Sequence, residues 1–210
     1  MNSSLQKPSS RTRILEAAAD EFIQYGLSGG RVDRIAKRAR VNKAMIYYYF
    51  SSKDNLYQAI IDAHLGRLGD ELQASIDESA GLEENLLAIS RIYLRVLTEN
   101  SRYLPIMLRE LAADDSTFRK SLERMVSERS LPERFLAMLE EGKRSGRFRD
   151  CDNRQAVISF MGMNLFYLLL APIVNSIWKI GNEEEFREKR PREVVELFMR
   201  GIERRDSNVG

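Results

Sequence analysis

The 210-residue chain has one cysteine, one histidine, one tryptophan and five prolines. A lone Cys151 excludes an internal disulfide framework and fits a reducing compartment. With His64 as the single imidazole, there is no Cys/His set at metal-ligand spacing, so no metal site is expected. His64 itself is expected to make a surface or interdomain hydrogen bond. A glycine-rich phosphate loop is missing, and so is a serine or cysteine nucleophile with a histidine partner. The protein is therefore not expected to be an enzyme, and no cofactor is called for. The opening MNSSLQKPSS has no apolar run of the kind a secretory signal needs, and residues 1–10 read as a flexible arm.

What is present is charge, unevenly placed. Apolar residues make up 43% and charged ones 30% of the chain, enough for a substantial core inside a water-facing surface. The formal net charge of +2 hides an asymmetry. Residues 1–53 carry ten Lys/Arg against four Asp/Glu, a net of +6, whereas the remainder carries twenty-three against twenty-seven, a net of −4. A basic head on a mildly acidic body is the electrostatic footprint of a nucleic-acid-binding module.

The head is organised around residues 31–56, RVDRIAKRARVNKAMIYYYFSSKDNL. Val32, Ile35, Ala36 and Ala39 fall at i, i+3, i+4 and i+7, which gives a short helix one buried stripe. A break at Arg40-Val41 follows. Asn42 then offers an N-cap and Lys43 to Tyr49 a second short helix. Two short helices joined tightly, the second polar and aromatic outside, make a helix-turn-helix whose second helix can enter a DNA major groove. With Ile46 facing inward, Phe50 lies near it, while Ala44, Met45 and Tyr48 point away. Asn42 and Lys43 at the open N-terminus can reach base edges or phosphates, and Ala44 and Met45 can meet thymine methyls. Tyr47 is expected to be partly core, with the hydroxyls of Tyr48 and Tyr49 on phosphates. Ser51 or Ser52 caps the next helix. Lys53 in its first turn adds a charge to the positive dipole end and would clamp a phosphate.

This stretch resembles the TetR family of bacterial transcriptional repressors, whose pattern is roughly I-A-x-x-A-G-V-S-x-x-x-[LI]-Y-x-[YH]-F-x-x-K-x-x-L. Ile35-Ala36, Ala39, Val41, Asn42, Ile46-Tyr47, Tyr49-Phe50, Lys53 and Leu56 stand in the same register. Upstream, Thr12-Arg13-Ile14-Leu15-Ala17-Ala18 is similar to the family's opening helix. Two positions depart: Arg40 replaces the usual turn glycine, and Arg31 stands where the first helix often has a threonine cap. A left-handed Arg40 would cost ~1 kcal/mol. Both arginines add positive charge on the expected DNA side, and Arg31 can reach a phosphate.

The resemblance implies an all-α protein: a three-helix head (11–52) packed on Phe22, Ile35 and Ile46, a connecting helix (53–74), and a larger helical ligand-binding and dimerisation body (75–210). Breaks are expected at Gly26, Gly81, Asn100-Ser101 and Asp114-Asp115, with a kink or join at Leu131-Pro132. Leu86, Ile89, Tyr93 and Leu97 read as one apolar stripe. Residues 155–178 carry no charge over twenty-four positions, a length that alone flags a membrane span. Gln155, Ser159, Asn164, Pro172, Asn175 and Ser176 argue instead for a helix buried by its own core and a second subunit. An amphipathic helix from about Pro191 to Arg205 follows. In the family the last two helices pair across a dimer, so Phe166, Leu170, Val174, Val195, Phe198 and Ile202 are expected at that interface. The family's effector pocket would draw on Tyr93, Met107, Phe160, Met163, Asn164, Tyr167 and Trp178, a mostly apolar wall with few polar anchors.

The function so implied is a cytoplasmic, ligand-responsive repressor that binds a palindromic operator in double-stranded DNA as a homodimer. A small apolar effector releases it, and no membrane is involved. The alternative is an architectural DNA-binding protein with the same head, controlled by a protein partner.

Overall fold

A computed structural model describes residues 9–99, 101–112 and 117–204, without the side chain of Leu97. The expected arm, apart from Ser9 and Ser10, and the expected breaks at Asn100 and Asp114-Asp115 lie outside the described residues. Within them the chain is all α: α1 (Ser10–Gly29), α2 (Val32–Ala39), α3 (Lys43–Phe50), α4 (Lys53–Ser75), α5 (Leu82–Glu99), a 3-10 turn (Ser101–Tyr103), α6 (Leu104–Leu111), α7 (Thr117–Glu128), α8 (Leu131–Arg144), α9 (Asn153–Ile177) and α10 (Glu183–Ile202).

Local chemistry sets the helix ends. The Ser9 hydroxyl accepts the Thr12 N–H at 3.1 Å to start α1. Gly26, at φ 69° and ψ 177°, is not helical, so α1 is two helical segments that meet at a kink where the break was expected, and the second closes against Gly30. At the break before α8, Ser130 adopts φ 47°, so Leu131-Pro132 opens a new helix instead of kinking one. Pro132 suits the first turn, where its missing N–H costs nothing.

The chain divides into two compact units whose borders differ from those expected. One holds the described residues of Met1–Arg67 together with Arg102–Arg124, and the other those of Leu68–Ser101 and Met125–Gly210. The segment around α6, expected in the body, therefore packs with the head. Glu110 is one reason: it accepts the Tyr57 hydroxyl at 2.9 Å. Gln58 bonds Ser121, and Arg124 pairs with Asp62. The first unit's core gathers Ile14, Ala18, Phe22, Ile35, Ile46, Leu56 and Tyr57, with the Phe22 and Tyr57 rings edge to face at 5.2 Å.

In the second unit, α5 packs on α9 and α10, and α8 packs on α9. Phe160 sits fully buried between Phe135 and Phe198, with ring centroids at 5.8 and 5.2 Å. The α5 stripe is Leu82, Leu86, Ile89, Ile92 and Val96, so Tyr93 lies at its margin and only packs against the core. Gly142 lies so close to the Phe148 ring that a Cβ would collide with it. Phe148 and Glu203 form an isolated antiparallel bridge, flanked by Arg149 N–H to Ile202 O at 2.9 Å and Arg204 N–H to Arg147 O at 3.0 Å.

α10 starts at Glu183, ahead of the expected Pro191. The Asn182 side chain caps the Glu185 N–H at 3.1 Å, and three glutamates in the first turn favour the dipole's positive end. Pro191 is carried inside the helix. α9 is long and apolar enough to cross a membrane, yet only 17% of its most apolar window is buried within the chain.

Candidate nucleic-acid interface

α2 and α3 meet at a tight left-handed corner. Arg40 takes φ 54° and ψ 49°, the conformation for which the family favours glycine. Its N–H reaches Lys37 O at 3.3 Å, and the Val41 N–H reaches Ala36 O at 3.1 Å. This is a Schellman closure that satisfies two of the last carbonyls of α2. The long side chain stays exposed, so the turn keeps its shape and gains a cation.

The start of α2 lacks a side-chain cap, since Arg31 cannot accept a hydrogen bond. Glu21 on α1 compensates. Its carboxylate takes the Arg31 N–H at 2.9 Å and the Arg34 Nε at 2.7 Å, while the Arg31 side chain remains exposed. Burial alone would raise the Glu21 pKa, but the bonds from Arg34 and Arg31 outweigh it and hold the carboxyl below its usual range. Glu21 was not among the residues singled out from sequence. A charged residue on the apolar side of α1 was the signal.

α3 is anchored by Ile46 and Phe50 alone. Asn42 accepts the Ala44 N–H at 2.9 Å, as an N-cap should. Asn42, Lys43 and Ala44 are exposed and Met45 is half-buried. Tyr47, expected partly in the core, is 44% exposed, as open as Tyr49 at 40%; Tyr48 reaches 82%. The helix is too short and too thinly anchored to bury a second aromatic beside Phe50. The three rings therefore form an outward surface, with Tyr48 and Tyr49 edge to face at 5.2 Å.

Lys43 is not a free cation: its ammonium pairs with Asp33 on α2 at 2.8 Å. That bond holds its pKa above the usual lysine range. Lys53 opens α4, half-buried, with its ammonium 3.5 Å from the Gly30 carbonyl. Beside it the Ser52 hydroxyl accepts the Asn55 N–H at 3.0 Å, so Ser52 is the residue that caps α4.

Of the residues expected around an effector, Tyr93, Phe160, Met163, Asn164, Tyr167 and Trp178 belong to the second unit. Met107 belongs to α6 in the first unit. Trp178, at the end of α9, is 67% exposed and so is not a wall of the body's interior. Phe160 is packed within the aromatic core. Asn164 is buried, bonded to Ser90 and donating to Phe160 O at 2.9 Å, and the Tyr167 hydroxyl lies 3.4 Å from Asn175. Burial pushes the Tyr93 phenol up to about 12. Met163 borders a cleft of about 250 Å³ with Phe198 and Leu197.

The expected dimer residues also divide. Val195, Phe198 and Ile202, expected at an interface, are buried in their own chain's core. Leu170 and Val174 are half-buried, and Phe166 is open. The exposed apolar stripe instead runs along α9 through Ile158, Phe166, Ile173 and Ile177, with Leu197 exposed on α10.

The His64 ring lies against Tyr103 with centroids 3.5 Å apart. Among the described residues, no group of three or more His, Cys, Asp or Glu side chains could hold a metal ion.

A basic head with an outward recognition helix on an all-α chain defines a helix-turn-helix DNA-binding transcriptional regulator. The family pattern described as "Bacterial regulatory proteins, tetR family" matches residues 14–60, so the head is similar to the DNA-binding segment of that family. An HTH-type transcriptional repressor of Streptomyces coelicolor is 36% identical over 37% of this chain, a match spanning only 40% of that protein. The transcriptional regulator RutR of Escherichia coli is 26% identical over 90% of this chain and 88% of its own. The FadR regulator of Bacillus subtilis, solved with stearoyl-CoA, shares the fold with a TM-score of 0.70 at 20% identity, covering 90% of this chain and 98% of that one.

Proposed function

We propose that the protein is a cytoplasmic, ligand-responsive repressor that binds a palindromic operator as a homodimer and is released by a small, mostly apolar effector. One observation carries this reading: α3 is held by Ile46 and Phe50 while its N-terminus and the faces of Tyr47, Tyr48 and Tyr49 stay open. A short helix so exposed, beside Arg31 and Arg40, fits a major groove and flanking phosphates. In this reading Asn42, Lys43, Ala44 and Met45 meet base edges. Arg31, Arg40, Lys53 and the tyrosine hydroxyls meet the backbone.

Dimerisation is supported by the open apolar stripe of α9, which in an isolated chain would face water. A second copy laid against it would cover it. A chain related by fold binds stearoyl-CoA, and other relatives are named repressors, which supports an effector with an apolar body. α4 runs unbroken from Lys53 to Ser75, through residues of both compact units. A ligand that shifts the far end of α4 alters the spacing of two heads that must sit about 34–36 Å apart, or a multiple of it. A coupling of ~1–3 kcal/mol gives roughly 5–150-fold release, and operator must weaken effector binding equally.

The test is selection of duplexes from a random pool by the purified protein. An enriched inverted repeat is expected, bound with two chains per site. Failure to enrich any sequence would reject the operator reading.

A further inference from the structure

Asp33 stands out on the DNA-facing side of the head. It is an exposed carboxylate on α2, 2.8 Å from the Lys43 ammonium and 74% open to solvent. A negative charge there repels phosphates, so it lowers affinity for any duplex. It closes no helix, since the Arg31 N–H at the head of α2 is taken by Glu21.

We propose that Asp33 is a specificity-determining positioning residue: its ion pair aims Lys43 at one base pair and opposes binding to DNA in general. This rests on the reading that α3 enters the major groove.

A lysine ammonium carries three N–H donors on a flexible stem. Asp33 engages the ammonium from the α2 side. The remaining donors are left to the open side, at the first residue of α3, where this motif meets base edges. Tethering the stem before binding removes rotamer freedom that would otherwise be lost in the complex, and it narrows which acceptor the lysine can reach. An untethered lysine takes the nearest phosphate as readily as a guanine edge. The pair is exposed, so it is weak enough for the ammonium to lean toward an acceptor without a large cost.

The experiment compares wild type, Asp33→Asn, Lys43→Ala and the double variant. Each is read by base preference in a random-duplex selection and by salt-dependent titration of a poly(dI-dC) duplex. Asp33→Asn should flatten preference at the same base pair that Lys43→Ala flattens, and the double variant should flatten nothing more. On poly(dI-dC), Asp33→Asn should tighten binding about 3–10-fold and steepen the salt slope by about one.

Unchanged preference in Asp33→Asn, or a change at a different base pair from Lys43→Ala, would overturn the proposal. So would weaker poly(dI-dC) binding. Wild type failing to enrich any sequence would instead mark the failure of the operator reading itself.

Discussion

The Tyr57 hydroxyl on α4 donates to a Glu110 carboxylate oxygen on α6 at 2.9 Å, a bond between residues 53 positions apart. Burial, then the neighbouring carboxylate, raises the Tyr57 pKa well above the phenolic range, so the phenol stays protonated and stays a donor. The other Glu110 oxygen lies 3.3 Å from the Phe118 N–H at the start of α7. One carboxylate thus ties α4, α6 and α7 within the first unit.

Tyr57→Phe removes that donor without changing ring packing against Phe22. It should cost ~1–2 kcal/mol in urea unfolding, because Glu110 loses a buried partner. If α6 reports effector to α4, the variant should also bind operator with less response to effector.

Phe198→Asp should abolish folding, as the side chain lies in the aromatic stack with Phe160. Leu197→Asp, one residue away and 60% exposed, should leave helix content intact by circular dichroism. Sedimentation should then show a monomer with weakened operator binding. A stable dimer of Leu197→Asp would place the interface elsewhere.

Lys53→Ala should weaken binding to every duplex and reduce the salt slope by about one. Tyr49→Phe should weaken all sequences with less effect on the slope, since it removes a hydroxyl and no charge. A shift in base preference from Lys53→Ala would contradict the phosphate role.

Gly142→Ala should destabilise by ~1–3 kcal/mol, since a Cβ would strike the buried Phe148 ring. Thermal melts should show partial recovery when Phe148→Leu is added. Gly142 is tolerated inside α8 because close approach to that ring needs it.

Burial, and then the charges of Arg102 and Arg67, pull the His64 pKa down from 6.5 to about 4. The unfolded chain therefore binds an extra proton between those two values. Stability falls as pH drops from about 6.5 to about 4, with nothing further from this group below that. His64→Gln should flatten the pH dependence of urea midpoints in that window and leave pH 7.5 little changed.

The helix-turn-helix was legible because short-range chemistry specifies it. Asn42 caps, Ile46 and Phe50 anchor, and Arg40 accepts the left-handed corner. Tyr47 was less legible, because periodicity puts it near the inner face and only the small size of the core decides that it stays outside. The partners of Lys43 and of the Arg31 N–H come from α2 and α1, and no local pattern names them. The dimer residues were hardest. Val195 and Phe198 form a good apolar stripe, but a stripe does not say whether its own chain or another covers it. Pro191 reads as a helix start, but Asn182 and three glutamates mark the true start of α10.

The short bridge between Phe148 and Glu203 has a consequence for the order of assembly. It joins the residues just before α9 to those just after α10, so both helices form a single loop closed at its base. Closing a loop this long costs entropy that grows only slowly with its length, but it is spent before any reward arrives. The clasp should therefore form late, after α9 and α10 have docked on α5. Truncation after Ile202 would delete the Arg204 N–H that bonds Arg147 and leave that hairpin fraying from its open end. The face proposed to meet a second chain would then be completed later than the helix-turn-helix head.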